Sequence, residues 1–277
     1  MSYRTILVYL NDARRGRKLV HHAAEIARAF EARLIGLHVS SPVFELPPKL
    51  EGLHFSRDEE ADHLRHIFED VTNKERVSGE FRRIAAHPYS PIEIVVPRTF
   101  AADLVIASQA NRDWKLSPVD FPEQLIIASG RPVLIVPDDG ESRALPQSAI
   151  IAWHQQREAT RALYDALPLL KGARSVELLI VEEPQGRASL NDATDRRILH
   201  PTELIVALAE HGIKPVVAIL RSSDAPVGEQ ICARANEQRA DLVVMGAYGH
   251  SRLRELVLGG ATKHVLSNMQ VPTLFSH

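Results

Sequence analysis

The chain states one pattern twice. "ADLVIASQ" (102–109) returns as "ADLVVMGA" (240–247), "RTILVYLN" near the start returns as "SAIIAWHQ" from Ser148, and "GRPVLIVP" (130–137) returns as "MQVPTLFS" (269–276). The separations all lie close to 140 residues, half of the 277-residue chain, so the repeated unit is a whole domain and not the short period of a solenoid. The joint is "PDDGESRALPQS" (137–148), polar and containing Pro and Gly as a linker should. This places one domain over residues 1–140 and a second over 146–277.

Within each half, short aliphatic and β-branched runs alternate with longer amphipathic stretches. The first half predicts strands near 4–11, 34–40, 80–86, 103–108 and 132–136, and the second near 149–154, 175–182, 214–221, 241–246 and 272–276. Between those of the first half lie the helical patterns "ARRGRKLVHHAAEIARAF", "RDEEADHLRHIFEDVTNKE", "SPIEIVVPRTFA" and "PEQLIIAS". Alternation of this kind predicts an α/β fold, here two tandem doubly wound domains, each a parallel sheet flanked by helices. "DLVIA" and "DLVVM" lack period-two alternation, as strands buried on both faces should. Residues 41–56 and 183–201 interrupt the pattern after the second strand of each half and read as long surface loops; the second is a candidate lid.

Composition narrows the function classes. Hydrophobic residues make up 45% and charged residues 25%, the balance of a soluble globular protein with a full core. A net charge of −2 gives no basic surplus for a nucleic-acid partner. The single cysteine, Cys232, has no internal partner for a disulfide, which fits a reduced cytoplasm. "MSYRTILVYLND" lacks the form of a secretory signal, and no apolar run approaches the roughly 20 residues that span a bilayer. The expectation is a cytoplasmic protein with no membrane partner.

The stretch "VVMGAYGHSRLRELVLGGATKHVL" (243–266) concentrates the candidate chemistry. Its strand ends at Met245, and Gly246 opens the loop beyond the carboxyl end, where open parallel sheets bind ligands at the reversal of strand order. Gly246 and Gly249 would leave room for a flat group or sugar and permit positive φ. Gly259, Gly260, Ala261 and Thr262 then open the last helix, whose unpaired N–H groups and partial positive charge suit an anion. Thr262 adds a hydroxyl and Lys263 a nearby cation. The whole reads as a seat for phosphate groups; tight helix–strand packing plus a turn is the structural alternative.

The spacing G-x2-G-x9-G in "GAYGHSRLRELVLGG", the lead-in "ADLVVMGAYG" and the exit "VPTLF" resemble the nucleotide loop of the universal stress protein family. The arrangement in two halves, with "AWHQQREATRALYDALPLL" (152–170) opening the second, resembles its double-domain members. The resemblance implies five-stranded parallel sheets of order 3-2-1-4-5, adenine nucleotide binding in some members, and dimers. It also shows departures. The family's loop continues with Ser or Thr after the third glycine, where this chain has Gly260. Its first strand commonly ends in an Asp near the adenosine, where the second half has His154 and the first has Asn11. His154 donates or accepts a hydrogen bond but supplies no carboxylate to a ribose or metal, so Mg²⁺ is left open. The first half's loop, "SQANRDWKLSPVDFPEQL", has no glycine, and Asp120 and Glu123 at its helix start would repel a phosphate. One nucleotide site is therefore expected, in the second half, bounded by Trp153, His154, Val181, Gly246, Ala247, Gly249 and Gly259 to Thr262.

Other constellations are weaker. Asp62, His63 and His66 have helical spacing that could hold a metal, but a polar helix face explains them. "ARRGRK" (13–18) reads as a solvated helix face, while Arg252 and Arg254 lie inside the glycine-bounded loop. His21, His22, His38 and His87 read as ordinary hydrogen-bonded histidines, and Trp153 as a space-filler between sheet and helix ahead of a base-stacking platform. The last strand reads as an edge that could pair with a second copy or with the other half. No Walker A, G-x-G-x-x-G or G-x-S-x-G motif occurs. The leading expectation is a non-enzymatic binding protein for ATP or another adenine nucleotide, whose occupancy biases the loop and lid. Its rivals are an interaction module that binds no nucleotide, and a slow nucleotide hydrolase with His154 as base.

Overall fold

Runs such as "LVIAS" and "LVVMG" carry apolar side chains toward both faces, so they are stable only where helices cover a sheet on each side. In a computed structural model of the chain, which describes residues 2–40, 57–86, 89–110, 120–138, 143–181, 200–220, 225–248 and 260–277, they do so twice. The chain divides into two compact units, residues 2–138 and 139–277.

The first unit runs β1 (Thr5–Tyr9), α1 (Ala13–Phe30), β2 (Arg33–Ser40), α2 (Arg57–Glu75), β3 (Gly79–Ala85), α3 (Pro91–Thr99), β4 (Leu104–Ser108), α4 (Phe121–Ala128) and β5 (Val133–Val136). Its strands lie in the order β3-β2-β1-β4-β5, all parallel. The second runs β6 (Ser148–Trp153), α5 (Arg157–Leu170), β7 (Ser175–Val181), α6 (Pro201–Glu210), β8 (Val216–Leu220), α7 (Val227–Glu237), β9 (Leu242–Gly246), α8 (Gly260–Asn268) and β10 (Thr273–Ser276). Its order, β8-β7-β6-β9-β10, is the same topology, again parallel throughout. Each strand begins and ends within two residues of its expected span.

The strand order reverses between β1 and β4 in one unit and between β6 and β9 in the other. Those central strands are the most buried: Ile6, Leu104, Val105, Ile106, Ile150 and Val244 have no exposed surface. Helix α1 shows how local sequence sets an element. The Asp12 carboxylate accepts from the Arg14 N–H at 2.8 Å and caps the start, while Leu19, Val20, Ala23, Ile26 and Ala27 form the buried stripe. Glu31 ends the helix in the left-handed region, at φ 52°. The interruptions expected at 41–56 and 183–201 lie outside the described residues, apart from His200 and Pro201, which open α6.

Candidate functional site

In the second unit the carboxyl ends of β7, β6 and β9 stand side by side: Trp153 pairs with Ile180, and Ala152 with Met245. This edge therefore gathers Trp153, His154, Val181, Gly246 and Ala247. Helix α8 follows β9 and leads back to β10, so its start at Gly260 lies at the same edge. The start of α7 joins it, since a Cβ placed on Gly228 would lie 2.7 Å from the Ala261 carbonyl oxygen. Two helix amino-termini thus meet there, each adding the partial positive charge of a helix start. Gly249 and Gly259, with Arg252 and Arg254, lie outside the described residues.

Several of these residues act differently from expectation. At Gly246 a Cβ would come within 2.5 Å of the Ala159 nitrogen and 2.6 Å of the Glu158 carbonyl carbon. The missing side chain admits the first turn of α5 against β9, and the packing alternative holds at this position. The left-handed backbone expected of the glycines is found at Tyr248, at φ 57°. Ala247 is fully buried, its N–H donating to the Ser276 carbonyl at 2.9 Å and its carbonyl lying 2.9 Å from His277 Nδ1. Thr262 is also buried, on one stripe of α8 with Val265 and Leu266, and its side chain belongs to the helix's core-facing side. Trp153 is buried at the end of β6, as a space-filler should be, while His154 is exposed. Gly260 is exposed, and a Cβ there would meet no atom of the described residues within 4 Å.

The equivalent edge of the first unit is filled by the chain itself. Tyr9, at the end of β1, stacks on Phe121, the first residue of α4, with ring centroids 4.7 Å apart. Both rings are buried, and burial pushes the Tyr9 phenol well above its ordinary pKa. The Ser108 hydroxyl donates to the Asn11 side-chain oxygen at 3.2 Å, joining the ends of β4 and β1. By sheet register Tyr9 corresponds to Ala152, and Phe121 opens the helix equivalent to α8. By the buried stripes of the two helices Phe121 corresponds to Ala261, so two stacked aromatics in one unit stand against two alanines in the other.

The remaining candidates resolve by burial. Asp62, His63 and His66 are exposed on α2, and the described residues hold no group of three or more potential metal ligands. Cys232 is half-buried on α7, where burial raises its thiol pKa and so its resistance to ionisation. His38 Nδ1 lies 2.8 Å from the Leu10 carbonyl, whereas buried His22 has no hydrogen-bond partner for Nε2 among the described residues. The basic cluster corrects the expectation of a solvated face. Arg14 and Arg17 are exposed, but Arg15 and Lys18, three residues apart, turn inward toward the carboxyl ends of β4 and β5. Their spacing carries no sign of this, because the Gln109 and Pro137 carbonyls that draw them inward lie more than 90 residues away.

These features define a class: a tandem of two doubly wound parallel α/β units of the same strand order. The profile of the universal stress protein family matches residues 2–137 and 133–277, and the chain belongs to that family. Universal stress protein Slr1230 of Synechocystis sp. is 47% identical over 47 residues, so the match spans 17% of this chain and only 16% of that relative. A universal stress protein from Archaeoglobus fulgidus shares the fold with a TM-score of 0.70 at 17% identity, over 98% of this chain and 95% of its own. Protein PA1789 from Pseudomonas aeruginosa, described as functionally unknown, has a TM-score of 0.62 at 17% identity, over 99% and 92%.

Proposed function

We propose that the second unit binds an adenine nucleotide, or a similar phosphorylated ligand, at the edge where β6, β9 and the start of α8 meet, and acts through binding and not catalysis. The observation that carries this reading is the contrast between the units. Tyr9 and Phe121 fill the first edge, whereas Ala152, Ala261 and the bare Gly260 leave the second edge clear among the described residues. An exposed helix start without side chains presents its N–H groups to phosphate oxygens. Trp153, His154 and Val181 would border the base and ribose, with the His154 ring offering one hydrogen bond in place of the family's carboxylate. Gly249 and Gly259 belong to the same proposal through their spacing. The end of β6 offers Mg²⁺ no carboxylate, since His154, Gln155 and Gln156 follow Trp153.

Calorimetric titration with AMP, ADP and ATP tests the proposal, together with mass spectrometry of small molecules released on denaturation. The control is Gly260→Asp, whose Cβ meets no atom within 4 Å among the described residues, with its fold checked by circular dichroism; Gly246 is unsuitable because any side chain there strikes α5. The expected result is saturable binding by the native chain and affinity lower by about tenfold or more in Gly260→Asp, as a carboxylate meets the phosphates. Gly260→Ser, which restores the loop hydroxyl, should tighten binding by roughly fivefold, the worth of one hydrogen bond. Absence of heat and of released nucleotide would replace the proposal with the interaction module. Phosphate release above that of Gly260→Asp would replace it with the hydrolase.

A further inference from the structure

The first unit holds a charge cluster that nucleotide binding in the second does not use. Arg15 Nε donates to the Asp12 carboxylate at 3.2 Å, and its Nη1 donates to the Gln109 carbonyl at 2.8 Å and to the Asp138 carboxylate. Lys18 Nζ donates to the carbonyl oxygens of Pro137 and Asp138, at 2.9 and 3.2 Å. The other guanidinium nitrogen, Arg15 Nη2, is buried without a hydrogen-bond partner among the described residues. Arg15, Lys18, Ser108, Pro137 and Asp138 are among the residues that line a shallow cleft open to solvent.

A buried guanidinium nitrogen with no acceptor is costly, and beside a cleft it marks a place for one. We propose that this cleft is a seat for one small oxyanion, a carboxylate or a phosphate, which the chain occupies with its own Asp138 side chain and yields to a free oxyanion in competition. Three observations lead here. The guanidinium is a planar fork suited to a two-oxygen acceptor; Asp138 accepts from Nη1, while Nη2 meets no acceptor among the described residues. Asp138 keeps 24% of its side-chain surface exposed, so it can rotate outward while Lys18 still holds its backbone carbonyl. Arg15 and Lys18 balance Asp12 and Asp138 when the seat is self-occupied. Once Asp138 swings out, the seat carries one surplus positive charge, which a monoanion neutralises.

The test compares thermal unfolding of the full chain, Asp138→Ala and Asp138→Ala/Arg15→Ala in sodium chloride, acetate and phosphate at matched ionic strength. With Asp138 removed, acetate or phosphate should raise the transition saturably over chloride by roughly 2–4 °C. The native chain should need about tenfold more anion, because its tethered carboxylate competes. Loss of Arg15 should abolish the response. A response to acetate alone identifies a carboxylate seat, and one to phosphate alone a phosphate seat. If Asp138→Ala does not fold, Asp138→Asn retains the size of the side chain and serves in its place. No response beyond chloride, or an equal response without Arg15, overturns the proposal. Since Arg15 belongs to the first unit, neither outcome depends on the nucleotide site of the second.

Discussion

Asp103 and Asp241, the aspartates of the repeated "ADL" segments, do the same work at opposite ends of the chain. The Asp103 carboxylate accepts the N–H groups of Arg4 and Thr5 at 2.8 and 2.9 Å, where β1 begins. Asp241 accepts those of Gln147 and Ser148 at 3.0 and 2.9 Å, where β6 begins. Hydrogen bonds to a charged acceptor hold the opening of each central strand, so Asp103→Ala and Asp241→Ala should each lower unfolding free energy by about 1.5–3 kcal/mol in urea titrations. Nucleotide affinity should be unchanged, since both sites lie at the amino edge. His22 supplies a pH dependence. Burial, and secondarily the Lys18 charge, lower its pKa from 6.5 to about 4, so the folded chain holds it neutral. Between those values the unfolded chain binds a proton that the folded chain refuses. The stability is fully present above pH 6.5 and is lost as pH falls toward 4, by on the order of 2–3 kcal/mol. His22→Leu should flatten that part of the stability–pH profile; an unchanged slope would assign the dependence elsewhere, His38 being lowered in the same direction.

At the scale of elements, corresponding pieces of the two units have diverged where they meet solvent. Strand β3 pairs only with β2 among the described strands of its unit, and it carries Glu80, Arg82 and Arg83. Glu80 accepts from Arg33 and, at 2.7 Å, from Arg82 Nε, a charged rim that discourages pairing with another chain. Its counterpart β8 reads "VVAIL" without a charge, and Val216 is 70% exposed. The Arg234 guanidinium on α7 secures neighbouring β7 through a two-pronged pair with Glu177 at 2.7 and 2.9 Å, which drives the Arg234 pKa further up. Among the described residues nothing comparable guards the outer rim of β8. Val216→Lys should therefore leave the melting temperature within about 1 °C and reduce concentration-dependent light scattering, a surface exchange with little effect on folding.

At the scale of the whole molecule, duplication supplied two edges of the same topology and the copies then parted. One is sealed by Tyr9 and Phe121 and crossed by the Ser108–Asn11 bond, while the other retains the glycine-bearing segment. Titration should accordingly give one nucleotide per chain. Two equivalent sites would mean that the aromatic stack opens readily and that the asymmetry is only apparent. No helix among the described residues is long and apolar enough to cross a membrane.

The duplication, the ten strands, the helices between them and the place where strand order reverses were all legible in the amino-acid order. Each rests on a signal that is local: an apolar run buried on two faces, an amphipathic period, a glycine beyond a strand end. What the tertiary structure decided depends on partners remote in the chain. Gly246 is small because α5 crosses it, Thr262 turns with the buried stripe of α8, and Tyr9 finds Phe121 only across the sheet edge. Arg15 looked like one more solvated cation until folding brought Asp138, 123 residues away, against it. A residue type and its spacing state which contacts are available; which of them forms is settled only when long-range packing excludes the rest.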